Sequence, residues 1–301
     1  MSALPAVLIM LAVSAQFALQ APVNARLALT TGKVPAALVS FLVGVAGLAV
    51  VVLVSGGAGG LADAGDAAGW QFLGGLIGAA FVLTALVTVP LVGAGGVAAA
   101  TITGQMIGSI VLDANGWLGL DPEPVTVWRV AGAALLLAGT VLILRRPGGD
   151  MAVPNRAGRR IAGAFIVVAG LALATQAPIN AGLGDAIGGL EAALVNFVVG
   201  SLVLAIAVVA TRTGRGVPAA VRVPRRYLAG GLIGAIYVTA SVLLVRTIGA
   251  GGIAATTITG QLASSVALDR AGALGLDERP LTPLRIAAVG LLIAGTCLIV
   301  A

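Results

Sequence analysis

Histidine is absent from this chain, and cysteine and lysine occur once each, as Cys297 and Lys33. Without histidine, and with a single thiol, the usual zinc and haem sites have no ligand set, so neither a metal nor another cofactor is expected. One cysteine also excludes a disulfide within the chain. Cys297 is expected to face lipid or a neighbouring helix as an inert thiol. Aromatic residues make up 4% and charged residues 9% of the 301 positions. Soluble domains carry about 25% charge because their surfaces must be wetted, and this chain has too little to cover a water-exposed surface. Walker, GxSxG, HExxH and Rossmann sequences are all missing. ATP hydrolysis and most familiar enzyme chemistries therefore have no support, and the chain is not expected to be an enzyme.

What the chain has in quantity is apolar sequence. Hydrophobic residues account for 59% and the mean hydropathy is +1.11. Many apolar runs are long enough to cross about 30 Å of hydrocarbon as helix, and the 44 glycines suit close packing between membrane helices. The lipid bilayer is thus the first expected partner. A net charge of +6 could point to nucleic acid, but no basic stripe interleaved with aromatics occurs; Arg and Lys in such a chain mark cytoplasmic loops instead. The first twenty-odd residues lack the basic start of a signal peptide and recur later in the chain, so they are expected to form a retained first span.

That recurrence is general. Gln20-Ala-Pro-Val-Asn24-Ala25 returns 156 residues later as Gln176-Ala-Pro-Ile-Asn180-Ala181. Gly93-Ala-Gly-Gly96 returns as Gly249-Ala-Gly-Gly252, and Thr101-Ile-Thr-Gly-Gln105 as Thr257-Ile-Thr-Gly-Gln261. Asp113 maps to Asp269 and Arg129 to Arg285; between Gly74 and Asp113, 22 of 40 positions match without a gap. Matched Gln, Asn, Asp and Pro exclude chance similarity in Ala/Gly-rich sequence, so the chain is a duplication. Each unit holds five apolar segments, near 4–25, 34–55, 70–91, 95–113 and 125–144 in the first. The expected fold is an all-α membrane protein of ten transmembrane helices, with repeats at 1–146 and 161–301 and a cytoplasmic linker at 147–160. Five spans per unit send the second unit into the membrane from the opposite side, an inverted pair. Fifteen of the seventeen basic residues then fall on one side, and only Arg129 and Arg246 on the other. By the positive-inside rule both termini are expected to be extracytoplasmic.

Polar side chains at membrane depth are costly and are the natural functional candidates. Gln105 and Gln261 are expected near mid-membrane, each directly after a glycine, with hydroxyls from Thr101, Thr103, Thr257 and Thr259 nearby. These amides could hold a ligand or tie helices to one another. Gln16, Gln20 and Asn24 share one helix face, and Pro22 frees the carbonyl one turn earlier, near Ala18. Gln20 and Gln176 are expected deeper in the membrane than Asn24 and Asn180, which could simply mark helix ends. Glu191 has no ionisable equivalent in the first repeat, where Pro35 stands. It is a candidate coupling carboxylate or, more simply, a helix-start residue stabilised by the dipole.

Taken together, QAPxNA, Ser40-Phe-Leu-Val-Gly44, the Gly-Gly-Leu-Ile-Gly-Ala at 74–79 and Ile-Thr-Gly-Gln105 followed by Asp113 resemble the YdcZ-like branch of the drug/metabolite transporter superfamily, twice over. The resemblance implies a carrier fold with a central cavity between repeats, and secondary rather than ATP-driven transport. Small multidrug-resistance members of that superfamily use a membrane-embedded glutamate in the first helix. Here Gln16, Gln20 and Gln176 occupy that region, so cation/proton antiport by that mechanism is not expected; neutral or zwitterionic metabolites fit at least as well. The resulting expectation is an inner-membrane secondary transporter of a small metabolite or drug-like molecule. A non-transporting membrane scaffold is the alternative, and a lipid-directed enzyme a more distant third.

Overall fold

The computed structural model describes residues 2–144, 156–272 and 280–300; most of the expected linker, 147–155, lies outside them. Nine helices are found there: α1 (Ala3–Phe17), α2 (Gln20–Thr31), α3 (Lys33–Val54), α4 (Leu73–Asn115), α5 (Val127–Leu144), α6 (Arg156–Ile187), α7 (Gly189–Ala210), α8 (Gly230–Ala271) and α9 (Pro283–Val300). Short 3₁₀ segments connect several of them, and the described residues contain no strand. Nine helical stretches are long and apolar enough to cross a membrane. The protein is an all-α membrane protein.

The duplication is visible in the elements. Shifting α3 by 156 residues gives the limits of α7, and shifting α5 gives those of α9. One element keeps its span but not its conformation. The first helix of unit one is interrupted by a turn at Ala18–Leu19, between α1 and α2, whereas its equivalent α6 is continuous across Pro178. The turn lies one helical turn before Pro22, where proline removes a backbone donor and crowds the preceding carbonyl. Pro90 lies within α4, and α8 breaks at Gly249, whose φ of 69° and ψ of 171° lie outside any helix. Residues with a Cβ avoid that region, so glycine is required there. Neither α4 nor α8 is one straight rod: Tyr237 and Thr257, twenty residues apart on α8, pair at 3.1 Å, and Gly74 and Gly78 of α4 run antiparallel to α6, against Asn180 and Gln176, whereas Gly104 and Gly108 run parallel to it, against Val167 and Leu171.

Between helices in lipid there is no water to expel, so association depends on close packing and hydrogen bonds. The most extensive packing joins α4 to α6, α1 to α8, α5 to α9 and α3 to α7, each pair linking one unit to the other. Exchanging the units turns α1·α8 into α6·α4 and leaves α3·α7 and α5·α9 unchanged, which describes a twofold relationship. The equivalent helices α5 and α9 run antiparallel: Gly132 faces Gly295 and Gly139 faces Ala288. A Cβ built on Gly132 would lie 2.7 Å from the Gly295 carbonyl oxygen, and one on Gly295 equally close to that of Gly132. Likewise Phe197 covers Gly44 and Phe41 covers Gly200, the two rings lying 5.1 Å apart. Leu136 and Leu292 are completely buried in the α5·α9 seam, whereas Leu53, Val54, Leu202 and Ile206 point outward from α3 and α7. Those outward apolar faces are what a helix presents to lipid.

Candidate functional site: a central amide-lined cavity

Where the two units meet, the packing leaves a cavity of about 730 Å³ whose wall draws on both. All four glutamines of the duplicated motifs, Gln20, Gln105, Gln176 and Gln261, line it, as does Asn180. The QAPxNA glutamines are anchored across the repeat boundary. Gln20 Nε2 donates to the Gly230 carbonyl at 3.1 Å, and Gln176 Nε2 donates to the equivalent Gly74 carbonyl at 3.0 Å. A carbonyl can only accept, which fixes the nitrogen of each amide toward the glycine and leaves the oxygen as the remaining acceptor. Both glycines are needed for this approach, because a Cβ on Gly74 would lie 1.9 Å from Asn180 Oδ1 and one on Gly230 would lie 2.1 Å from Asn24 Oδ1. On the second-unit side the network goes further: Asn196 Oδ1 accepts from Gln176 Nε2 at 3.3 Å and from Asn180 Nδ2 at 3.0 Å. Ser40 stands in the place of Asn196 in the first unit, so that bridge is not duplicated.

Gln105 and Gln261 differ from that pair. Both are partly exposed in the wall, and neither side-chain amide has a hydrogen-bond partner among the described residues. Next to Gln105 on the helix, Thr101 is 8% exposed and its hydroxyl oxygen is buried without a partner. Its equivalent Thr257 is paired, at 3.1 Å, with the hydroxyl of Tyr237, whose ring stacks on Phe17 at 4.3 Å.

The two ends of the cavity are unlike. At one end the wall contains Asp269 and Arg285, paired at 2.5 Å, and these are its charged residues. Their equivalents Asp113 and Arg129 lie outside the wall. There Asp113 Oδ1 and Oδ2 accept the N–H groups of Ala250 and Gly251 at 2.8 Å each, and Oδ2 also accepts from Arg129 Nη2 at 3.1 Å. These N–H groups open the second half of α8 after the Gly249 break, so a carboxylate from α4 caps a helix start in the other unit. Arg129 also pairs with Glu123 and donates to the Ile299 carbonyl. The side chain of Asp113 is 1% exposed against 23% for Asp269.

Other residues singled out from sequence lie elsewhere. Thr103 bonds back to the Ala99 carbonyl of its own helix. Thr259 ties α8 to α9, donating to the Leu292 carbonyl and pairing with Thr296 at 2.7 Å. Asn24 packs on Gly230, its Oδ1 buried and unpartnered. Glu191 is buried in the first turn of α7, its carboxyl against Gly57 and Gly188, away from the cavity wall. Sequence reasoning passed over Asn196, Phe81, Tyr237, Asp269 and Arg285 as wall residues. The signal that could have found the first three is divergence between the copies, Ser40 against Asn196 and Phe81 against Tyr237, inside otherwise matched segments.

A solved crystal structure whose title says only that it is of a protein superposes with a TM-score of 0.70 at 16% identity, covering 98% of this chain and 96% of that one. At that identity the likeness concerns the fold alone. No curated protein matches the sequence. The sequence profile of one family, described as "Putative inner membrane exporter, YdcZ", matches residues 5–142 and again 161–298. The profile thus spans both units and nearly all of the apolar helices, and the chain belongs to the YdcZ family of multi-pass inner-membrane transporters.

Proposed function

We propose that this protein is a secondary carrier that moves a small, uncharged or zwitterionic molecule through the cavity by alternating access between inverted repeats. In this reading α4 and α8 each cross the membrane twice, which gives ten crossings and puts both termini outside. Segments assigned to the outer side then lie together: Arg246 pairs with Asp185 and bonds to the Leu118 and Gly119 carbonyls, and Asp113 meets Ala250. The antiparallel run of α5 and α9 supports a twofold axis lying in the membrane plane.

One observation carries the proposal: sequence-equivalent parts of the two units adopt different conformations around one shared cavity. The turn at Ala18–Leu19 falls in the helix pair that packs on α8, whereas its continuous counterpart α6 packs on α4. The Asp269–Arg285 pair belongs to the cavity wall, whereas the equivalent Asp113–Arg129 pair is buried outside it. If the units exchange conformations, the two pairs exchange these places, at little net cost because equivalent contacts are lost and gained. The test is an untargeted comparison of metabolite uptake by vesicles with and without the protein, repeated with the Gln105→Leu/Gln261→Leu double variant. A protein-dependent flux abolished by the double variant is expected; no protein-dependent flux of any compound would remove the carrier reading.

A further inference from the structure

From the repeat asymmetry we infer that Thr101 and Gln105 form a docking subsite for a neutral carboxamide or lactam edge, made available because Phe81 stands where the second unit has Tyr237. This rests on the carrier reading only in placing the ligand in the same cavity. The Thr257 hydroxyl is satisfied by Tyr237. Phe81 has no hydroxyl to offer, and the Thr101 hydroxyl is buried with no partner. A buried polar group left unpaired is destabilising, and a ligand bonding to it would remove that cost. One turn further along the same face, Gln105 presents an amide with no partner among the described residues, so an acceptor and two donors converge beside the Thr101 hydroxyl. A primary amide is read in full by a group that places a donor beside an acceptor, the same logic by which Gln or Asn reads a base edge. Carboxamides and ring lactams have that edge.

Charge decides against the ionic alternatives. The wall's carboxylate and guanidinium, Asp269 and Arg285, are paired at 2.5 Å through Arg285 Nη2, so the pair carries no net charge, although Arg285 Nη1 is buried without a partner. A cation held only by aromatic faces gains less than desolvating an unpaired ion costs. An anion meets only a guanidinium whose charge Asp269 already balances. The aromatic side chains in the wall (Phe17, Phe41, Phe81, Phe197 and Tyr237) are better used against the flat face of a ring that bears the amide.

Equilibrium binding to the full-length protein in nanodiscs, with radiolabelled nicotinamide and uracil as probes, tests this without requiring flux. Nicotinamide or uracil is expected to bind, with benzoate and tetraphenylphosphonium weaker. Phe81→Tyr, Thr101→Val and Gln105→Leu are each expected to weaken binding about tenfold, the loss of one or two neutral hydrogen bonds. Because Phe81→Tyr acts by occupying Thr101, adding it to Thr101→Val should weaken binding no further. Additive loss in that double variant would mean that the tyrosine merely fills space, and would overturn the assignment, as would full binding by monodisperse Phe81→Tyr protein. Equal or tighter binding of benzoate or tetraphenylphosphonium, or no binding of either neutral probe, would overturn it too. Binding with this pattern but no flux in proteoliposomes would uphold the subsite and remove the carrier reading.

Discussion

An amide in hydrocarbon has two N–H groups and an oxygen to satisfy, and the four wall glutamines do so in two ways. Gln20 and Gln176 use their nitrogens on glycine carbonyls of the opposite unit, while the Gln105 and Gln261 amides have no partner among the described residues. The first pair is therefore expected to matter for assembly and the second for ligand. Gln20→Leu with Gln176→Leu should lower the thermal unfolding midpoint, and Gln105→Leu with Gln261→Leu should leave it unchanged while abolishing flux. Size-exclusion profiles and thermal unfolding in the same detergent, set beside vesicle flux, separate the two. Asp113 is a sharper case. Its carboxylate accepts two backbone N–H groups and an arginine, and hydrogen bonds to charged groups contribute about 1.5–3 kcal/mol each. Asp113→Asn replaces one accepting oxygen by a donor facing donors. It should destabilise the protein clearly more than Asp185→Asn, whose partner Arg246 is surface-exposed and whose pairing is worth about 0–1 kcal/mol.

At the scale of elements, α3, α5, α7 and α9 were legible as apolar runs close to their final limits, because a membrane helix is specified by length and hydropathy alone. The glutamines were legible for a related reason: an amide repeated at depth has to meet something polar. What each amide meets was not legible, since Gly230 lies 210 residues from Gln20 and their proximity depends on how the units cross. Thr259 illustrates the limit. Its motif is a copy of the one containing Thr103, yet one hydroxyl bonds within its helix and the other bridges to α9. The interruptions were half visible. Pro22 pointed to a disturbance near Ala18, but the equivalent Pro178 sits in an unbroken helix, so proline permits the turn and packing decides it. Gly249 provides the direct test. Gly249→Ala must force a Cβ into a region that costs about 1–3 kcal/mol. Gly290→Ala, on α9 with open space around it, should be neutral or stabilising by about 0.5–1 kcal/mol. Comparing unfolding midpoints of the two variants checks whether glycine is obligatory at the break; equal midpoints would show that another residue takes that conformation at little cost.

For the whole molecule, the inverted reading makes a topological prediction. Cysteines introduced at Ser2 and Ala301 in a Cys297→Ser background should react with a membrane-impermeant maleimide added outside intact spheroplasts, and a cysteine at Arg212 should not. Neither terminus reacting would reverse or refute the orientation drawn from loop charge. A second consequence follows from where the tight packing lies. The most extensive helix pairs all join one unit to the other, so each half leaves its best surfaces unmatched when alone and the peptide joining them adds little to the fit. The chain is in effect an obligate heterodimer whose subunits are translated together. Cut into two open reading frames at the linker, the halves should accumulate only when expressed in the same cell. One gene with a duplicated interior would then act as a matched pair, free to differ at positions such as 81 and 237 because neither copy has to fit a copy of itself.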